Sequence, residues 1–172
     1  MIIDPNKEKQ AIQWLSNEIK QIPNVFRKNE IQESITLNNK KVPPLCEIVL
    51  YKYNAVVGNL NGYWDKFPMV LIVRPLEDHF FGFNLHYLDQ ETREKIIGTM
   101  MHIHTQTRGN KKELFKRIYP FLDGLVKIGI YNHAYKNYLY QRLESKFIII
   151  NPKYYDLVTA LPIARFKGNN TQ

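Results

Sequence analysis

A chain of 172 residues that is 44% hydrophobic and 13% aromatic is too apolar to be intrinsically disordered, and large enough to fold around a core without a staple. Its one cysteine, Cys46, excludes an intramolecular disulfide, and no stretch approaches the roughly 18 consecutive apolar residues of a membrane-spanning helix. The net charge of +8 is uneven: residues 1–88 hold 10 Lys/Arg against 9 Asp/Glu, and residues 89–172 hold 14 against 7. A polyanion or an acidic protein surface should therefore meet the second half; the plainer alternative is a solvated helical exterior.

The start, Met1-Ile2-Ile3-Asp4-Pro5, has no basic region followed by an apolar one. No signal peptide is expected, and the protein should work in the cytosol or in something assembled there. Residues 5–22 read as a helix capped by Asp4 with Pro5 at its first position. Ala11, Ile12, Leu15, Ile19 and Ile22 recur at helical spacing, with Trp14 beside them. Residues 24–44 are polar and end in Pro43-Pro44. They are expected to form an arm, with a short strand or turn over Glu30 to Leu37. The organisation is then an N-terminal helix and arm (1–44), a main domain (45–168) and a short disordered tail (169–172).

Cys46 to Tyr53 is rich in β-branched and aromatic residues and predicts a strand, in which Cys46 acts as a small buried hydrophobe. Asn54 to Asp65 predicts a long loop. Phe67 to Val73 is a continuous apolar run, the pattern of a strand buried on both faces. Phe80 to Leu88 predicts a third strand with Phe81, Phe83, Leu85 and Tyr87 on one face and Asn84 and His86 on the other. Gly82 inside it suggests a bulge or a close backbone approach. The connections are too short for crossover helices, so the strands should be antiparallel.

Asp89 should cap a helix that buries Ile96, Ile97, Met100 and Met101. Lys111 to Tyr119 predicts a short helix presenting Leu114, Phe115 and Ile118. Pro120 then opens another, which ends near Gly129. Asn132 should cap a further helix with Tyr135, Tyr138, Leu139 and Leu143. Lys146 to Ile150 predicts a fourth strand, and Asn151-Pro152 the start of a last helix stopped by Pro162. The fold class is α+β: a small antiparallel sheet or SH3-like partial barrel packed against a helical C-terminal half, with the N-terminal helix on an arm.

The search for chemistry is mostly negative. His102 and His104 are two apart on a predicted helix and point apart. There is no His-x-x-x-His, Cys-x-x-Cys or Asp-x-Asp pattern, no phosphate loop and no Gly-x-Ser-x-Gly elbow. Asp65, Glu77 and Asp78 have no spacing that requires them to converge on a cation. No enzyme activity, metal or other cofactor is expected. Asn84 and His86 form a candidate small polar site, or else hydrogen-bond to the backbone of the following helix start at Asp89. Lys111, Lys112, Lys116, Arg117, Lys136, Arg142 and Lys146, with Lys153 and several tyrosines interleaved, form the candidate nucleic-acid or anion contact. Those tyrosines could equally be packing residues.

One resemblance stands beside these readings. Tyr63-Trp64-Asp65-Lys66-Phe67-Pro68 followed by an apolar strand, then Gly82-Phe83-Asn84-Leu85-His86-Tyr87-Leu88 and a helix with an early Arg93, resembles a family of uncharacterised or structural proteins from T4-like tailed bacteriophages. The resemblance resumes at Tyr138-Leu139, Lys146-Phe147-Ile148 and Ala160-Leu161-Pro162. The chain departs from the family pattern between Tyr53 and Tyr63, which lacks a Pro-Lys turn, and at Leu143 to Phe147, which is less Arg-rich. The resemblance implies a non-enzymatic virion structural protein of the tail, baseplate or neck, assembled in the host cytoplasm and working through protein–protein interfaces with other virion proteins. Its alternative is a DNA-binding phage protein that uses the basic helical half.

Overall fold

The computed structural model describes residues 4–22, 43–55, 66–108 and 110–163. Pro5, with its φ already helical and its missing N–H at a position where none is needed, opens α1 (Pro5–Gln21), and the Asp4 carboxylate accepts from the Asn6 N–H at 2.9 Å. The helix lies against the end of the chain: Trp14 and Tyr154 bring their ring centroids to 5.5 Å, and Ala11 is fully buried. The arm expected over residues 24–44 lies, apart from its last two residues, outside the described residues, as do the Glu30–Leu37 strand or turn, most of the 54–65 loop and the 169–172 tail.

Five antiparallel strands form one sheet in the order β4-β3-β2-β1-β5, where β1 is Ile48–Leu50, β2 Met69–Pro75, β3 His79–Asn84, β4 Tyr135–Leu139 and β5 Ile148–Ile149. Of the two predicted forms it takes the sheet, with β4 and β5 at its edges. Strand β1 is shorter than predicted. Cys46 precedes it with a left-handed φ of 65°, and donates its N–H to the Ile72 carbonyl at 2.9 Å. The β2 prediction holds: Met69, Val70, Leu71, Ile72 and Val73 are all buried.

Gly82 in β3 is a close approach. A Cβ there would sit 2.4 Å from Val70 Cγ1 and 2.5 Å from the Leu71 carbonyl oxygen, and the β2–β3 register shifts between Ile72 and Arg74 opposite it. The third strand ends earlier than expected, because Asn84 caps a 3-10 turn, Leu85–Tyr87, accepting the His86 N–H at 3.1 Å.

Each face of the sheet has its own core. One face carries Ile48, Leu50, Met69, Leu71, Val73 and Phe83 beneath the helices. The other carries Val49, Tyr51, Val70, Ile72, Phe80 and Tyr138, covered by Tyr140, Leu143 and Phe147 of the segment leading to β5. The tyrosines expected on a helix capped by Asn132 are thus sheet residues. Tyr135 stacks on Phe81 (5.5 Å, 16°) on one side of β4, and Tyr138 stacks on Phe80 (5.3 Å, 23°) on the other. That period of two replaces the predicted helix, because pairing with the free edge of β3 satisfies the backbone and buries both aromatics.

The helical layer holds α2 (Gln90–Gln106), α3 (Lys111–Ile128) and α4 (Tyr155–Ala160). Asp89 caps α2 as expected, accepting from the Thr92 N–H (2.7 Å) and hydroxyl (3.0 Å). Ile96, Ile97 and Met100 are buried, but Met101 is on the exposed side. The helix α3 corrects a second expectation: it runs through Pro120 instead of breaking there. Pro120 is exposed, so the carbonyl four residues earlier that loses its donor faces solvent, while Ile118 and Leu122 stay buried on the far side. Gly129, at a left-handed φ of 76°, ends the helix.

Candidate nucleic-acid interface

The C-terminal turns of α2 and the first half of α3 form a helical hairpin. Asn110 caps α3, its side-chain oxygen accepting from the N–H groups of Lys112 (3.1 Å) and Glu113 (3.2 Å). Gln106 joins the two helices. Its Oε1 accepts from Arg117 Nη1 at 3.1 Å and its Nε2 donates to His102 Nε2 at 2.8 Å. Arg108, Lys112, Lys116 and Arg117 are all exposed on this hairpin. Lys116 bonds to Glu113 at 3.0 Å, an exposed pair one turn apart. Such a pair is weak and readily exchanged for another anion.

The predicted cations do not all gather there. Lys112, Lys116 and Arg117 do; of Lys111, the first residue of α3, only its place in the helix is described. Lys136 sits on β4 opposite Gly82, with its ammonium 5.3 Å from the centre of the Tyr87 ring, and burial lowers its pKa. Arg142 and Lys146 lie on the segment that covers the second face of the sheet, and Lys153 stands 4.8 Å over the Tyr154 ring near α4. Arg108 was not among the predicted contacts. Its signal is its place beside Gly109-Asn110, at a helix junction. The interleaved tyrosines are largely core: Tyr138, Tyr140 and Tyr155 are buried.

Asn84 and His86 are joined through the backbone, the Asn84 oxygen capping the His86 N–H. The Asn84 amide, itself buried, donates to the Tyr138 hydroxyl at 3.0 Å, and His86 Nε2 lies 3.3 Å from the Phe67 carbonyl oxygen. Two of these partners, Tyr138 and Phe67, are distant in the chain and do not belong to the start of α2 at Asp89, where local bonds were expected. Glu77 and Asp78 lie at the β2–β3 turn, where Asp78 bonds to His79, and Asp65 is outside the described residues.

A cleft of about 300 Å³ lies between the helical hairpin and β5, with Cys46, Glu47, His104 and Tyr155 on its wall. Burial, with a smaller contribution from Glu47, pushes the Cys46 thiol up to about 12. It is therefore a protonated, inert sulfur at neutral pH. Among the described residues no group of three or more His, Cys, Asp or Glu could hold a metal ion, and no helix is long and apolar enough to cross a membrane.

Residues 6–172 match the model of a family described as the phage T4 terminal DNA protecting protein. No curated protein and no solved structure matches the chain. The match is wider than the resemblance read from the residues, whose motifs lie between Tyr63 and Pro162. The family description names terminal DNA; it names no tail, baseplate or neck. The chain belongs to the phage T4 terminal DNA protecting protein family.

Proposed function

We propose that this chain binds the ends of double-stranded DNA and shields them from nucleases, using the α2–α3 hairpin as its contact surface. The observation that carries this reading is the exposed cluster of Arg108, Lys112, Lys116 and Arg117 in a family described by its protection of terminal DNA. Arginine and lysine on one exposed ridge can neutralise successive phosphates, and each neutralised phosphate releases condensed counterions. Gln106 supports the ridge by tying Arg117 to α2. A tail, baseplate or neck role finds no comparable support in the family description, so the DNA-associated reading takes precedence over it.

The test is binding to a short linear duplex across a salt series, followed by exonuclease digestion of the same duplex with and without protein. Contact with four phosphates gives a loss of roughly a hundredfold in affinity between 50 and 200 mM salt. Slowed digestion from the ends is the expected companion result. Absence of binding at 50 mM salt, or digestion unaffected by saturating protein, would end this reading.

A further inference from the structure

The exposed side of α3 carries more than charge. Lys112, Phe115, Lys116 and Tyr119 fall at i, i+3, i+4 and i+7, one continuous helical stripe. Of the three apolar residues that the sequence places on this helix, Leu114 and Ile118 pack on the core, and Phe115 is 42% exposed. Its ring stacks on Tyr119, with centroids 5.5 Å apart and planes at 23°, and Tyr119 in turn packs against the core. Phe115 is therefore a supported aromatic plate at the surface, between two lysines.

The end of a duplex differs from its interior in one chemical respect: the last base pair has one face that no neighbour covers. An aromatic ring can take the place of that neighbour, whatever the base, because every base has a π-face. Cations beside the ring would lie close to the phosphates that flank the terminal pair. We propose that Phe115, backed by Tyr119, stacks on the exposed face of the terminal base pair while Lys112 and Lys116 contact the flanking phosphates. This rests on the DNA-binding reading above and adds to it a means of telling an end from continuous duplex. Charge alone gives no such distinction, since phosphates line every duplex.

The experiment compares two duplexes of the same length and sequence, one with two open blunt ends and one closed by hairpin loops at both ends. The wild-type chain is expected to favour the open duplex by about tenfold, within the range of one base–aromatic stack. In Phe115→Leu that preference should fall to about twofold or less, with affinity for the closed duplex and its salt dependence unchanged. Phe115→Trp should retain the preference. A 2-aminopurine placed as the terminal base should lose emission when wild-type protein binds and keep it when Phe115→Leu binds. Phe115 is exposed enough that both variants should fold, which their melting curves check. An undiminished open-end preference in Phe115→Leu overturns the proposal. So does equal binding of the two duplexes by the wild type, an outcome that leaves salt-dependent DNA binding standing. Failure to bind either duplex removes the DNA-binding reading itself, and this inference with it.

Discussion

The guanidinium of Arg93, in the first turn of α2, donates from Nη1 to the carbonyl oxygen of Val158 at 3.1 Å, near the end of α4. A second bond, from Nη2, goes to the Leu161 carbonyl. Arg93 is fully buried, and its Nε has no hydrogen-bond partner among the described residues. Burial lowers its pKa to about 10, with Asp89 and Glu94 acting in the opposite sense, so it is charged at neutral pH. One cation thus satisfies the Leu161 carbonyl just past α4 and adds a second donor to the Val158 carbonyl, which also accepts the Leu161 N–H at 3.4 Å, and it couples the last helix to the centre of the helical layer.

Replacing Arg93 with Met keeps much of the volume but takes the guanidinium donor from the Leu161 carbonyl and leaves the Val158 carbonyl with the Leu161 N–H alone. A buried unsatisfied acceptor costs about 1–3 kcal/mol, so Arg93→Met should lower stability by about 2 kcal/mol. Urea unfolding measures this through the midpoint at constant slope. Loosening of α4 should appear as faster amide exchange over residues 155–161 than in the sheet.

Gly82→Ala tests the closest approach in the sheet. The added methyl would meet Val70 Cγ1 at 2.4 Å and, less forgivingly, the Leu71 carbonyl oxygen at 2.5 Å. A side chain can change rotamer, but the Leu71 carbonyl belongs to the central strand β2 and cannot move without disturbing the β2–β3 pairing. The expected loss is about 3 kcal/mol, at the upper end of the overpacking range, read from the shift in urea midpoint. A loss under about 1 kcal/mol would show that β2 yields more easily than the geometry suggests.

Charge reversal on α3 separates electrostatic contact from fold. Lys112→Glu with Lys116→Glu removes two cations from the exposed ridge, and neither side chain is buried. Stability should change by less than about 0.5 kcal/mol. Affinity for linear duplex should fall, and the slope of log affinity against log salt should flatten by about 1.8, from two lost phosphate contacts. The same reversal at Arg142 and Lys146, which lie on the other face of the sheet, should leave that slope unchanged.

Several of these features were readable in the residues and others were not, for definite reasons. The caps at Asp4 and Asp89 are local, since each carboxylate meets an N–H two or three residues on, and local chemistry is what a sequence displays best. The apolar run of β2 announced burial on both faces. Strand β4 was hidden because Tyr135 to Leu139 is short and polar and becomes a strand only beside the edge of β3. Pro120 was misleading because its cost in a helix depends on whether the orphaned carbonyl faces water, which is a tertiary property. The candidate interface was half legible. The density of cations on α3 is visible in the chain, but the separation of Lys136, Arg142 and Lys146 from it follows from β4, and the exposure of Phe115 follows from how α3 is rotated on the core.

The cap on α2 gives a prediction with a defined pH sense. The Asp89 carboxylate accepts from the Thr92 N–H and hydroxyl, and these bonds, the backbone one first, hold its pKa below the ordinary aspartate value. An acid whose pKa is lower folded than unfolded adds stability above its unfolded pKa and loses it as pH falls through the folded one. The contribution should be complete at pH 5 and above and decline steadily below about pH 4. Asp89→Ala should cost about 1 kcal/mol at pH 7. Asp89→Asn keeps an oxygen acceptor for the Thr92 N–H but cannot titrate, so its stability relative to the parent should improve as pH drops from 5 to 2. Melting curves of the three proteins across that range make the comparison. A parent–Asn difference that stays flat over the range would mean that the Asp89 carboxylate has the same pKa folded and unfolded, and that the cap owes nothing to its charge.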